Sequence, residues 1–203
     1  MSDGSAIIEQ QFALAEKVLD GRTHLDFAEN HACLTGLFDS FREFKDQELV
    51  IYEHDRLTYG EVAAQAAHFA RTLTKEHSII AGDRIGIVLP NKPEWIISFV
   101  AVAALGAVPV LINARAAEDE LDYCLSSVNC RACITERTTA LDIRKIHPDE
   151  CRSNTAGNNA LALAERDPAD EAMLMFTSGT TGKPKAAVLS HQGLMSAMKT
   201  IHY

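Results

Sequence analysis

Between Trp95 and Ile112 the chain runs for eighteen residues without a charged side chain. This stretch is the strongest single constraint on the fold, because so long an apolar run ends either in lipid or in a protein core. Gly106, followed by Val108-Pro109-Val110-Leu111-Ile112, reads as a helix stop and then a short buried strand. The helical part, from about Glu94 to Leu105, would be only about 18 Å long at 1.5 Å per residue, short of a hydrocarbon core of about 30 Å. The sequence therefore predicts a buried helix, a turn and a strand, with no transmembrane segment. Residues Met1 to Gln11 show neither a basic segment nor a long apolar one, so no signal peptide is expected.

The surrounding pattern is that of an α/β domain. Leu49-Val50-Ile51-Tyr52 is β-like, and Thr58-Tyr59-Gly60-Glu61 has the spacing of a capping box opening a helix with Val62, Ala66, Phe69 and Leu73 on one face. Ile85-Gly86-Ile87-Val88-Leu89 reads as a strand covered on both sides. A helix from about Ala117 to Val128 places Glu118, Asp119 and Glu120 in its first turn, where the macrodipole favours negative charge, and Ala132 to Thr135 follows as a strand. This alternation predicts a mainly parallel sheet with helices on both faces, joined by right-handed crossovers. The N-terminal stretch with Ile7, Ile8, Leu14, Val18 and Leu19 is amphipathic.

From Thr138 to Ala169 the periodicity dissolves into a connecting segment. The expected division is thus an N-terminal α/β subdomain over 1–137, a connector over 138–170, and a hairpin with the start of a truncated second subdomain over 171–203. A closing helix from Gln192 is expected, with Ser190 as its N-cap and His191 at its start.

Charge and cysteines narrow the function. With 19 Lys+Arg against 28 Asp+Glu, a net charge of −9 in 203 residues argues against a nucleic-acid binder, which needs clustered cations. Five cysteines (Cys33, Cys124, Cys130, Cys133, Cys151) with no secretory pattern suggest thiols in a reducing, cytoplasmic compartment. Only Cys130-Arg131-Ala132-Cys133 has metal-like spacing. It lacks a second pair, and positions i and i+3 of a strand face opposite ways, so buried thiols and no metal are expected.

One loop carries chemistry. Thr177-Ser178-Gly179-Thr180-Thr181-Gly182 consists of glycines and hydroxyls, with Lys183-Pro184-Lys185 directly behind it. Backbone amides in such a loop crowd many donors around a polyphosphate, hydroxyls add directional ones, and a lysine neutralises charge on the leaving phosphate. It is not a Walker A loop, because Gly179 and Gly182 are too close, Pro184 follows Lys183, and a strand rather than a helix follows.

At these residues the sequence resembles the AMP-forming adenylate enzymes: acyl-CoA synthetases, luciferases and peptide-synthetase adenylation domains. Phe176 to Lys185 with Val188-Leu189-Ser190-His191 resembles their phosphate-binding signature. Asp20-Gly21-Arg22, Arg56 to Tyr59, Asp83 to Asn91 and Gly106 to Pro109 fit as well, while Pro93-Glu94-Trp95 and Glu120 to Leu125 look most like acyl-CoA synthetases. The resemblance implies that a carboxylic acid attacks Mg-ATP to give acyl-AMP and pyrophosphate, and that CoA then takes the acyl group. ATP, Mg2+ and CoA are the implied cofactors and co-substrates. By position, Thr177, Ser178, Gly179, Thr180 and Thr181 would contact the β- and γ-phosphates, Gly182 would shape the loop, and Lys185 would match the lysine of the family's Pro-Lys-Gly element. Ala186 stands where the family usually has glycine, which raises the question of whether the backbone there needs positive φ.

The family's later motifs, including the ribose-binding aspartate and the catalytic lysine of the C-terminal domain, are not found in this sequence. An N-terminal fragment of an acyl-CoA synthetase, inactive alone, is the expectation, with no catalytic residue of its own and self-association through faces exposed by truncation. The alternatives are a non-catalytic phosphate-binding or assembly module, or another adenylation domain of the superfamily.

Overall fold

Alternation in the run Ile85-Gly86-Ile87-Val88 organises the molecule. In the computed structural model, which describes residues 14–19, 21–28, 31–152, 160–177 and 182–201, these residues form strand β5 (Arg84–Val88) near the middle of a six-stranded sheet. In chain order the other elements are β1 (Leu14–Leu19), β2 (Arg22–Phe27), α1 (Leu34–Asp39), β3 (Glu48–Tyr52), β4 (Asp55–Thr58), α2 (Tyr59–Lys75), α3 (Pro93–Ala104), β6 (Val108–Leu111), α4 (Glu118–Ser127), β7 (Ala132–Thr135), β8 (Arg144–Ile146), β9 (Glu171–Thr177), β10 (Lys185–Ser190) and α5 (His191–Ile201). The strand order is β10-β9-β6-β5-β7-β8, with β5 to β9 parallel and β10 antiparallel to β9.

Period-two alternation divides the core between the two faces. Ile85 and Ile87, with Ala132 and Ile134 of β7, meet Phe69 and Leu73 of α2 and Ile97 and Ala101 of α3. Val88, Val110 and Cys133 point the other way, toward Leu121 and Leu125 of α4. The faces follow from topology. β6 and β7 lie on opposite sides of β5, so two right-handed crossovers put α3 and α4 on opposite faces. At the centre, Gly86 lets α4 approach, since a Cβ there would lie 2.6 Å from Leu125 Cδ2 and 3.3 Å from Cys133 Sγ.

Local signals act where the sequence places them. Thr58 Oγ1 accepts the Glu61 N–H at 3.1 Å, and Glu61 Oε2 accepts the Thr58 N–H at 2.8 Å, completing the capping box of α2. Pro93 occupies the first turn of α3, and Gly106 at φ 73 turns the chain into β6. The charge-free stretch is thus a buried helix, turn and strand. Among the described residues no helix is long and apolar enough to cross a membrane.

Three regions differ from the sequence pattern. The 138–170 segment contains β8, which pairs in parallel with β7, and a 3-10 turn at Pro148–Cys151; Ile146 and Cys151 are fully buried. Its Arg-Lys-Ile composition hides it, because an edge strand needs only one inward side chain. Of the N-terminal stretch, Leu14–Leu19 pairs as β1 with β2 in antiparallel fashion, with Leu14 and Val18 exposed, and Ile7 and Ile8 lie outside the described residues. The hairpin expected to open a second subdomain is hydrogen-bonded into the first sheet through β9 and β6.

Helix α5 is anchored to the N-terminal part of the chain. The Asp26 carboxylate accepts from Ser196 Oγ at 2.6 Å, Gln192 Nε2 at 3.2 Å and Lys17 Nζ at 3.3 Å. His191, almost fully buried, accepts the Leu34 N–H on Nδ1 at 3.3 Å. Burial and the Arg166 guanidinium hold its pKa below the ordinary value, against the opposing charge of Asp170. Among the described residues the five cysteines are free and no three His, Cys, Asp or Glu side chains cluster as a metal site. Burial pushes the Cys133 thiol up to about 12, which suits a core residue rather than a nucleophile.

Two outcomes follow from this packing. Gly86→Ala is expected to destabilise the chain by about 1–3 kcal/mol, read as a lower denaturant midpoint, because the methyl overpacks a full layer. Because the folded chain holds the His191 pKa below its ordinary value, the unfolded chain takes up the proton first on acidification. Its contribution is present above the ordinary pKa of 6.5 and is lost as pH falls below it. Unfolding midpoints measured from about pH 7 to pH 5 should fall more steeply in the unaltered chain than in His191→Gln, which keeps an acceptor that does not titrate.

Candidate functional site

The parallel strands all point their carboxyl ends to one edge, the edge at which open α/β sheets bind ligands. The loop after β9 emerges there, beside the turn that leads from β6 into α4. Thr177 is the last residue of β9 and pairs with Lys185, the first of β10, and its Oγ1 donates to the Lys185 carbonyl at 3.4 Å. The two ends of the loop are therefore closed by the strand ladder, and both residues are exposed. Gly182 has φ +86 with open space around it, a conformation a side chain would disfavour. Ser178, Gly179, Thr180 and Thr181 lie outside the described residues.

Ala186 settles its own question. It sits in β10 opposite Phe176, packed against the second core cluster. Among the described residues the non-glycine positions with positive φ are Glu53, Ser78 and Asn129. An alanine after Lys185 thus occupies ordinary extended backbone, and its methyl adds apolar contact.

The strand that feeds the loop is braced at its other end. Glu171, the first residue of β9, accepts from Arg84 Nη2 at 2.6 Å and Arg84 Nε at 3.0 Å, a bidentate pair reaching over β6. Arg84 also donates to the Val128 carbonyl at 3.2 Å. Behind the loop, Ser190 caps α5 by accepting the Gly193 N–H at 3.2 Å. A planar guanidinium with two parallel bonds fixes geometry as well as charge.

Sequence reasoning missed the neighbour across the gap. Lys183 Nζ stands 4.9 Å from the centre of the Tyr123 ring. Both residues border an open cavity of about 590 Å³, which Asp119, Glu120 and Gly182 also line. Glu118, Asp119 and Glu120 do occupy the first turn of α4, as expected for dipole-favoured charge. That turn also forms one wall of the cavity. Tyr123 follows one turn later, a spacing that the sequence shows but that periodicity alone cannot link to Lys183, sixty residues on.

Comparison with known proteins agrees with the geometry. Residues 37–203 match the family described as AMP-binding enzyme. A long-chain-fatty-acid–CoA ligase of Mycobacterium tuberculosis, FadD13, is 35% identical over 157 residues, covering 70% of this chain and 31% of that protein. Tyrocidine synthase 3 of Brevibacillus parabrevis is 30% identical over 151 residues, covering 72% of this chain and 2% of the synthase. Among solved structures, the N-terminal subdomain of Klebsiella oxytoca NpsA in complex with 3-hydroxybenzoyl-AMSN superposes with a TM-score of 0.65 at 27% identity, over 78% of this chain and 41% of that one. The chain spans about a third of the length of the fatty-acid ligase it matches. With the match running from residue 37 to residue 203, the chain belongs to the AMP-binding enzyme family.

Proposed function

We propose that this chain is the N-terminal, phosphate-binding portion of an ATP-dependent, AMP-forming acid–thiol ligase of the acyl-CoA synthetase type. The observation that carries the reading is the placement of the Thr177–Lys185 hairpin at the carboxyl edge of the parallel strands, with its ends closed by pairing. Amides and hydroxyls of Thr177, Ser178, Gly179, Thr180 and Thr181 hold the β- and γ-phosphates of Mg-ATP, Gly182 supplies the turn, and Lys185 offsets charge on departing pyrophosphate. ATP supplies the activated phosphate for a carboxylic acid, and CoA the accepting thiol. The elements Pro93-Glu94-Trp95 and Glu120 to Leu125, together with the likeness to a fatty-acid–CoA ligase, favour that type over a peptide-synthetase domain.

In this reading residues 1–137 begin the large domain, 138–170 connect, and 171–203 start the next subdomain while remaining paired with the first sheet. Free thiols at all five cysteines support a cytoplasmic setting. The exposed Met175 and Val188 on the last hairpin favour a second reading of the chain by itself, as a phosphate-binding or assembly module.

Calorimetry with inorganic pyrophosphate tests the first reading. The unaltered chain should bind, and Lys185→Ala should weaken binding about ten-fold or more, the effect of losing one charge-assisted hydrogen bond. Equal affinity in the variant would remove Lys185 from the site. Carboxylate-dependent ATP–pyrophosphate exchange should be absent in the 203-residue chain, and robust exchange would contradict its being a portion of the catalytic unit. Light scattering that shows a dimer without anion binding would favour the assembly module.

A further inference from the structure

We propose that Tyr123 is a resting site for Lys183: the ring and the acidic turn beside it hold the lysine until a polyphosphate bound by the hairpin draws it from the ring. The proposal rests on the phosphate reading above and extends it to two residues which that reading does not use.

The ammonium of Lys183 lies 4.9 Å from the Tyr123 ring centre, inside the range of about 6 Å over which a ring face attracts a cation. Two carboxylates, Asp119 and Glu120, border the same cavity and add attraction of the same sign. The platform is fixed. Tyr123 is carried by α4 between Leu121 and Cys124, which are almost fully buried, and Leu125 seats the helix on Gly86. Lys183 is exposed and follows Gly182, which has positive φ and no atom within 4 Å of where a Cβ would stand.

Charge decides which partner moves. Glu118, Asp119 and Glu120 repel an incoming phosphate from the α4 side, so the cavity between helix and hairpin suits the lysine head and not the anion. A cation–ring contact at a partly exposed site is weaker than a charge-assisted bond to phosphate. A polyphosphate seated on the loop therefore outcompetes the ring, and Lys183 exchanges one contact for the other. While the lysine rests on Tyr123, only the fraction that has left is competent to bind, which lowers apparent affinity by that fraction. Tyr123 is in this sense a positioning residue that acts through Lys183.

Reductive methylation of the lysines with 13C-formaldehyde, which keeps their charge, gives one NMR resonance per side chain. Without anion, a ring-shifted methyl resonance should be present, should vanish in Lys183→Ala, should move to the unshifted position in Tyr123→Leu and should remain in Tyr123→Phe. Adding inorganic pyrophosphate should remove the ring shift in the unaltered chain. By calorimetry, Tyr123→Leu should bind pyrophosphate about two- to five-fold more tightly, and Tyr123→Phe as the unaltered chain does. Absence of any ring-shifted Lys183 resonance overturns the proposal, and the unaltered chain alone decides this even if the leucine variant misfolds. A ring shift that persists while calorimetry shows bound pyrophosphate overturns it too. A shift with no pyrophosphate binding in either the unaltered chain or Tyr123→Leu overturns the phosphate reading instead, and the exchange falls with it.

Discussion

The site depends on one pairing, β9 against β6. Because β9 runs parallel to its neighbour, with Val110 opposite Leu174 and Leu111 opposite Met175, the loop after Thr177 emerges where the other parallel strands end. Reversing that strand would carry the loop to the opposite edge, away from the turn into α4. The pairing is short, and two further contacts hold it. Leu174 is buried in the core under α4, and the Arg84–Glu171 pair ties the first residue of β9 to the first residue of β5. Apolar burial sets which face the strand presents, and the bidentate pair fixes where along the sheet it begins.

A second constraint acts through Gly86. Without a side chain there, Leu125 descends onto the sheet, and that contact sets how closely α4 lies over the strands. Tyr123 is two residues earlier on the same helix, so its distance from the hairpin is coupled to a glycine in the middle of β5. The chain of cause runs from the absence of one methyl group, through the depth at which a helix packs, to the reach of a ring toward Lys183. The opposite face contributes less to this geometry and more to rigidity, with α2 and α3 forming a continuous apolar layer over Ile85 and Ile87.

What could be read from the sequence was local. The capping box of α2, the stop at Gly106, the two-sided strand at Ile85 to Val88 and the acidic opening of α4 all depend on residues within a few positions of one another. The features missed depend on distant partners. β8 carries one inward side chain, Ile146, and exists because β7 offers it an edge. The β1–β2 hairpin presents Leu14 and Val18 to solvent, so burial periodicity carries no signal there, and it is held instead through Asp26 to Gln192 and Ser196 on α5. At the candidate site, composition alone makes the run Thr177 to Gly182 read as a donor-rich loop, and Ser178 to Thr181 lie outside the described residues. The concern over Ala186 came from a family pattern and dissolved once its backbone proved to be ordinary strand. Tyr123 was invisible because a ring becomes a cation partner only when folding brings a lysine over it.

The overall charge of −9 bears on the binding proposed above. A protein with that balance has no general positive field to gather an anion, so the proposed binding would come from donors placed within a few ångströms. In that proposal backbone amides and hydroxyls serve without adding charge that the acidic turn of α4 would neutralise. Lysines placed openly on the hairpin would be drawn toward that turn, and Lys183 is found over the Tyr123 ring, beside the cavity that Asp119 and Glu120 also border. Lys185 escapes the same fate because it belongs to β10, where ladder pairing with Thr177 fixes its backbone at the mouth of the loop. The two lysines therefore differ in kind although they are two residues apart. One is placed by the sheet, and the other is placed by whichever negative or π-rich surface holds it more strongly.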